Sequence, residues 1–253
     1  MELIVSKSIN NLNDYSAQLL VSLMQATDGG KIGLATGNTP IGIYQSLVRL
    51  HQEGKADFSQ TITYNLDEYC GLHKEHPSSF YTFMKQHLFD HVNLKRENIY
   101  IPDGEAEDVE EECRRYNSVL QHAGQLDAQI LSLGLNGHIG FNEPGEELSP
   151  HTHVVTLTEQ TREVNASAFS SIDEVPTHAI TMGVASILRS KWILFMALGK
   201  KKASILKKSL EGPVTTECPA SLLQLHPNVT FFLDDEAASE LNLESGAYQV
   251  RSL

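Results

Sequence analysis

Cysteine is scarce in this sequence: Cys70, Cys113 and Cys218 are odd in number and widely spaced. Neither a disulfide framework nor a zinc pattern fits them, so a reducing compartment is expected. Basic residues are also few, with 19 Lys and Arg against 32 Asp and Glu, a formal net charge of −13. Such a chain lacks the basic face that phosphate-backbone binding needs, which excludes nucleic acid as its main partner. No run reaches the ~18 apolar residues of a membrane span. The opening residues, MELIVSKSINNLND, lack the cationic segment followed by an apolar core that marks a signal peptide. There is no internal repeat, low-complexity tract or Pro/Ser linker. The expectation is a soluble, cytoplasmic protein with a single catalytic domain over residues 1–253.

What is present is ordinary globular material, 41% hydrophobic and 20% charged, in a chain long enough to bury a large core without staples. Short apolar runs read as strands at Leu3–Val5, Lys31–Ala35, Thr61–Leu66, Ile99–Ile101, Ala128–Leu133, Trp192–Ala197 and Val229–Leu233. Between them, apolar residues recur at helical spacing over Asn13–Gln25, Thr39–His51, Phe80–Phe89, Ala106–Leu120, Ala179–Leu188 and Lys201–Leu210. The run HTHVVTL alternates like an exposed or edge strand. Strand alternating with helix predicts an α/β fold of three layers, a mostly parallel, Rossmann-like sheet with helices on both faces. Ligands of such sheets bind beyond the carboxyl ends of strands, where the strand order reverses.

Three loops that follow strands carry chemistry-bearing residues. In Ala35-Thr-Gly-Asn-Thr-Pro40, Gly37 permits close backbone approach, and the N-terminus of the following helix suits an anion; a plain turn capped by Thr39 is the other reading. The loop is neither a Walker motif nor a dinucleotide fingerprint, so ATP and NAD both lose support. In Asn65-Leu-Asp-Glu-Tyr-Cys-Gly71, neighbouring carboxylates point opposite ways in extended chain, so only one of Asp67 and Glu68 is expected to face a pocket. The alternative is a helix-capping Asp67 beside a solvated Glu68. In Gly134-Leu-Asn-Gly-His-Ile-Gly-Phe-Asn-Glu-Pro144, three glycines surround His138, which titrates near neutral pH and suits proton transfer to a ring oxygen. Asn136 and Glu143 stand close enough in sequence to orient the imidazole. The pairs His151-x-His153 and His73-x-x-His76 lack a third and fourth ligand at metal-site spacing, so no metal is expected; the His73–Pro77 segment is expected instead to lie over the pocket.

ATGNTP, NLDEY and NGHIGFNEP, in this order and spacing, resemble the glucosamine-6-phosphate deaminase family. So do THVVTLTEQTR, Asp173–Gly183, GKKKA and PASLLQLHP, so that the resemblance extends over nearly the whole chain. It implies the sugar-phosphate isomerase fold and a hydrolytic enzyme of amino-sugar catabolism, which converts glucosamine 6-phosphate and water into fructose 6-phosphate and ammonia. It implies no metal and no organic cofactor. Under it, His138 opens the pyranose ring with Asn136 and Glu143 in support, and Asp67 moves a proton from C2 to C1. Thr36, Gly37, Asn38, Thr39, Gly137 and Lys202 bind the substrate.

The chain departs from the family pattern in three places. Asn136 stands where many members have Asp, which leaves it an orienting rather than a proton-relaying role. Ser167 stands at the position of a phosphate-binding Arg, so a bidentate clamp is missing; either Lys200, Lys201 or a neighbouring Arg, with Arg162 nearby in sequence, compensates, or substrate affinity and identity differ. The segment after the NEP turn, with Glu146 and Glu147, offers little positive charge to an anionic activator. Absence of activation by N-acetylglucosamine 6-phosphate is therefore expected, together with a monomer or small homo-oligomer. Competing functions are galactosamine-6-phosphate deaminase, a 6-phosphogluconolactonase-like hydrolase and a non-catalytic sugar-phosphate sensor.

Overall fold

A computed structural model describes all residues from Met1 to Leu253. The chain begins β1 (Glu2–Ser6), α1 (Ile9–Ala26), β2 (Lys31–Leu34), α2 (Ile41–Gln52), β3 (Ile62–Asn65), β4 (Asp67–Tyr69), α3 (Phe80–His87) and β5 (Ile99–Tyr100). It continues through α4 (Val109–Ala123), β6 (Ala128–Ser132), β7 (His153–Thr156), α5 (Glu159–Asn165), β8 (His178–Thr181) and α6 (Val184–Leu188). The last elements are β9 (Trp192–Ala197), α7 (Ala203–Glu211), β10 (Val229–Asp234), α8 (Asp235–Ala238) and β11 (Gln249–Ser252).

Eight strands form one sheet in the order β11-β1-β10-β9-β6-β2-β3-β5, and every pairing within it is parallel. Its central strands are buried from end to end: Ile193, Leu194, Phe195, Phe231, Phe232 and Leu233 have no exposed surface. Continuous apolar runs of that kind belong to strands covered on both faces, and the helices pack around the sheet as the alternation of elements predicts. No helix is long and apolar enough to cross a membrane.

Strand order reverses between β2 and β6. From β2 the chain builds outward through β3 to β5; from β6 it builds the other way through β9 and β10. The two strands pair only at Ile32 with Ala128 and at Gly33 with Gln129. Gly33 leaves room for the buried Gln129 side chain, whose Oε1 would lie 1.9 Å from a Cβ there. Beyond this pair the strands part, and a crevice opens past Leu34 and Leu133.

A second, antiparallel sheet, β4-β8-β7, roofs that end of the molecule. Its first strand was expected as loop. Leu66 N–H donates to Leu34 O, after which the chain leaves the main sheet and Asp67, Glu68 and Tyr69 pair with Thr181, Ile180 and Ala179. The expected helix over Ala179–Leu188 is corrected in the same place: residues 178–181 are strand, and only Val184–Leu188 is helical. Ala179 and Ile180 are buried between β4 and β7, and alternation over four residues mimics a helical face when continued into Val184 and Ile187. Gly183 separates the two because a side chain there would collide with the backbone of Pro150 and His151. HTHVVTL does supply an edge strand, β7, and Gln249–Ser252 adds an edge strand to the main sheet that sequence reading missed. The helix expected from Ala106 begins at Val109, and Asp108 caps it by accepting from Glu111 N–H.

The end of β10 ties fold to crevice. Asp234 accepts from Ala237 N–H, capping α8, and from Gly199 N–H through both oxygens at 2.9 Å. Gly199 begins the turn that carries Lys202. Asp234→Ala is expected to cost about 1–3 kcal/mol of unfolding free energy, measured by urea denaturation, and to weaken substrate binding through the Lys202 turn.

Candidate active site

The crevice is a cavity of about 410 Å³ lined by six segments of the chain. The loop after β2 contributes Thr36, Gly37, Asn38 and Thr39, β4 contributes Asp67 and Tyr69, and the loop after β6 contributes Gly134, Leu135, Asn136, His138, Gly140 and Phe141. Opposite them stand Thr161, Asn165 and Ser167, the segment from Pro77 through α3, and Lys202. Loops separated by about a hundred residues in sequence meet because the strands before them are neighbours in the sheet.

The loop after β2 offers backbone rather than charge. Gly37 has φ of 94° and open space where a side chain would stand. No side chain caps α2, whose N-cap residue is Pro40. The capping role considered for Thr39 is therefore not taken, and the first N–H groups of a twelve-residue helix are left toward the cavity end, where an anion is stabilised.

His138 sits in a turn that only glycines allow. Its ring packs on Gly134, where a Cβ would lie 2.4 Å from three ring atoms. Gly137, with φ of 93°, packs against Cys218 and Ile205. Gly137 was expected to bind substrate, yet it does not line the cavity; its carbonyl accepts from Ala220 N–H, and its place is behind the loop. Asn136 holds the turn from the front: Oδ1 accepts from His138 N–H at 3.2 Å, and Nδ2 donates to Glu143 Oε2 at 2.5 Å.

Glu143 lies behind the imidazole rather than in the cavity wall. His138 Nδ1 stands 3.4 Å from Glu143 Oε2, an ion-pair distance without the geometry of a good hydrogen bond. Thr161 donates to the other oxygen at 2.6 Å and is itself hydrogen-bonded by Thr158. Burial pushes the Glu143 carboxyl up, but His138, Thr161 and Asn136 together outweigh it and hold the group at about 2.

Asp67 is the opposite case. It is buried, and no side chain or backbone group donates to its carboxylate. Burial, with a smaller contribution from the charge of Glu68, pushes it up to about 8. Glu68 points away from the cavity, as strand alternation requires. It is neither solvated nor idle: its carboxylate accepts from Tyr69, Phe80 and Tyr81 N–H at 2.9–3.0 Å. Of the two carboxylates it is Glu68, not Asp67, that caps a helix.

Lys202 is the cavity's one ammonium, and no guanidinium lines it. Burial lowers it to about 8, and its Nζ donates to Leu133 O. None of the residues expected to compensate for Ser167 does so. Lys200 donates to Ser239 Oγ beside Glu240, Lys201 is exposed, and Arg162 is spent on the carbonyls of Ile172 and Val175. Ser167 itself reaches the cavity, and Ser78 Oγ donates to the carbonyl of its neighbour Ala168, joining the two sides of the mouth. Of the segment expected to cover the pocket, Pro77 lines the cavity while His73, Lys74 and Glu75 face solvent. The pairs His73/His76 and His151/His153 form no metal cluster. Thr161, Glu68 and Ser78 had no local signal in the sequence, since each acts through a partner far away along the chain.

Glu143 contributes stability through its charge. Its carboxyl is held below the usual 4.5 in the folded chain, so the contribution is present above about pH 4.5 and is lost as pH falls toward 2. Glu143→Gln is expected to lower unfolding free energy by on the order of 2 kcal/mol near pH 7, with the gap narrowing below pH 4.5. Urea unfolding at a series of pH values reads both; a gap independent of pH would remove the charge from the account.

The family model for glucosamine-6-phosphate isomerases/6-phosphogluconolactonase matches residues 5–232. A glucosamine-6-phosphate deaminase of Thermoanaerobacter pseudethanolicus is 47% identical over 239 residues, covering 94% of each chain. One from Clostridium perfringens is 46% identical over 241 residues, covering 95% of this chain and all of its own. A solved structure described as a monomeric glucosamine-6-phosphate deaminase superposes with a TM-score of 0.93 at 44% identity, over 95% of this chain and all of that one. The 6-phosphogluconolactonase of Thermotoga maritima, 18% identical with a TM-score of 0.74 over 92% of this chain and 99% of its own, shares the fold. With a match spanning most of its length and relatives this similar, the chain belongs to the glucosamine-6-phosphate isomerase/6-phosphogluconolactonase family.

Proposed function

We propose that this protein is a glucosamine-6-phosphate deaminase, converting glucosamine 6-phosphate and water into fructose 6-phosphate and ammonia. The observation that carries this reading is one cavity holding two acid/base groups of different character, the unpartnered buried carboxyl of Asp67 and the carboxylate-backed imidazole of His138. The reaction needs two proton transfers at different atoms, and separately placed groups serve them.

His138 takes the proton of the C1 hydroxyl and delivers it to the ring oxygen as the C1–O5 bond breaks, giving the open aldehyde. Glu143 stays ionised behind it, 3.4 Å from Nδ1, while Asn136 keeps the turn in register. Asp67, as carboxylate, takes the proton from C2 while the C1 oxygen takes one from the substrate's own ammonium group, giving an enolamine, and Asp67 then returns its proton to C1, leaving a C2 iminium. Water adds to the resulting C2 iminium and ammonia leaves, so the atoms of substrate and water balance. A carboxyl lifted to about 8 by burial is a stronger base than an exposed one. The phosphate sits on the Thr36–Thr39 loop at the α2 N-terminus, with Lys202 as its ammonium partner. A phosphate beside Lys202 restores the proton affinity that burial removes. In this reading the enzyme serves amino-sugar catabolism in the cytoplasm, with no cofactor, as a monomer or small homo-oligomer.

Incubation with glucosamine 6-phosphate or galactosamine 6-phosphate, with ammonium and ketose phosphate measured, tests the reading. Turnover of the glucosamine substrate is expected; binding of either sugar without turnover would make the protein a sensor. Asp67→Asn is expected to lower kcat by roughly 10²–10⁴-fold with substrate still bound, and kcat/KM of the parent should climb with pH through about 8. Unchanged turnover in Asp67→Asn would remove Asp67 from its role.

Rate against substrate concentration is expected to be hyperbolic, with no response to N-acetylglucosamine 6-phosphate. The acidic Glu146–Glu147 segment supports this, and a sigmoidal curve straightened by that compound would overturn it.

A further inference from the structure

Glu68 is a buried carboxylate for which the reaction has no chemical use. It stands on β4 back to back with Asp67, turned away from the cavity and 3% exposed. Its Oε1 accepts from Tyr69 N–H at 2.9 Å and Phe80 N–H at 3.0 Å, and its Oε2 from Tyr81 N–H at 2.9 Å. Phe80 and Tyr81 are the first two residues of α3, and Ser79 accepts from Thr82 N–H at 3.1 Å. The three leading N–H groups of the helix are thus held by side chains, two of them by a residue twelve positions earlier.

That helix is a cavity wall. Phe80, Phe83 and Gln86 line the cavity from α3, and Pro77 and Ser78 line it from the turn before. Phe80 packs on Tyr69 and Phe141 with ring centroids 4.6 and 6.0 Å apart. Tyr69 N–H and the α3 N–H groups converge on one carboxylate, so the wall is tied to the strand that carries Asp67 rather than to the main sheet.

We propose that Glu68 is a positioning residue for the reaction: from the far side of β4 it docks the α3 wall against the strand of Asp67, and its charge acts on Asp67 through that strand. This rests on Asp67 being the base.

No cation answers the charge of Glu68. The ionisable groups around it are Asp67 before it, Tyr69 and Cys70 after it and Asp103 from the loop preceding α4, and only peptide dipoles and the α3 N-terminus oppose them. Around Asp67 stand Glu68, the phenols of Tyr44 from α2, Tyr116 from α4 and Tyr69 from its own strand. His138 and Lys202 share its cavity. The phenols are pushed up by burial and stay neutral. Glu68 is thus the one carboxylate neighbour able to make Asp67 harder to ionise.

The test compares Glu68→Gln, Glu68→Asp and Ser79→Ala with the parent, reading amide hydrogen exchange and the pH profile of ammonium release from glucosamine 6-phosphate. Glu68→Gln keeps the size and removes the charge. The acid limb of its kcat/KM is expected to move to lower pH by roughly one unit, with KM several-fold higher and faster exchange at Phe80 and Tyr81. Glu68→Asp keeps the charge but is too short to reach α3, so exchange quickens there and the limb moves far less. Ser79→Ala loosens the same helix end without touching charge and is expected to leave the limb in place.

A limb unmoved in Glu68→Gln, or exchange at Phe80 and Tyr81 unchanged in both Glu68 variants, would overturn the proposal. Should Glu68→Gln not fold, exchange and pH profile in Glu68→Asp decide the docking role alone. Failure of the base assignment would show separately, as full turnover in Asp67→Asn with the exchange results at α3 intact.

Discussion

The parting of β2 and β6 beyond Gly33 and Gln129 is the constraint from which the rest of the site follows. Two parallel strands that stayed paired to their ends would set Leu34 opposite Ile130 and leave no room between the loops that follow. Here pairing stops after two residues, and the Gln129 side chain packs over Gly33. The next neighbours outward, β3 and β9, then deliver Asp67 and Lys202 to the rim of the same opening. Four loops distant in sequence become one cavity because the strand order reverses at this seam.

That cavity handles charge in an acidic protein by a division among carboxyl groups. Glu143, with two neutral donors on its oxygens and His138 alongside, is ionised throughout the ordinary pH range. Asp67, without any donor, and Glu68, with three, are both pushed up, to about 8 and about 7, because burial dominates. Near neutral pH a sugar phosphate therefore meets a cavity with less negative charge than its composition suggests. Glu143 is screened behind His138, and Lys202 faces the opening. The chain's charge of −13 lies elsewhere on its surface, which reconciles an acidic protein with an anionic substrate.

How much of this could be read from residues alone divides along a physical line. The central main-sheet strands could be read because they are buried on both faces and form apolar runs; β9 begins and ends where its composition says it should, whereas the exposed edge strand β11 has no such run. Of the second sheet only β7 could, since β4 is three residues long and β8 has one apolar pair, too little for a periodicity to show. The position of His138 was visible through its glycines, whose φ values and close contacts leave a trace in sequence. The support from Thr161 and the docking by Glu68 were invisible, because a hydrogen bond between residues 18 or 12 positions apart has no local signature. Gly137 misled for a related reason: the same signal marks a glycine facing a ligand and one packed against Cys218.

Asn136 shows how the two halves of the site depend on one side chain. Its amide donates to Glu143 at 2.5 Å while its carbonyl accepts from His138 N–H, so it needs both a donor and an acceptor. A carboxylate there would have only acceptors and would face Glu143 oxygen to oxygen, unless a proton were shared between them. With Asn, Glu143 keeps its full charge with no proton to exchange. In the proposed mechanism ring opening runs through His138, with the fixed charge of Glu143 behind it. The same proposal gives the proton transfer between carbons to Asp67, whose environment is set separately on the far side of the cavity.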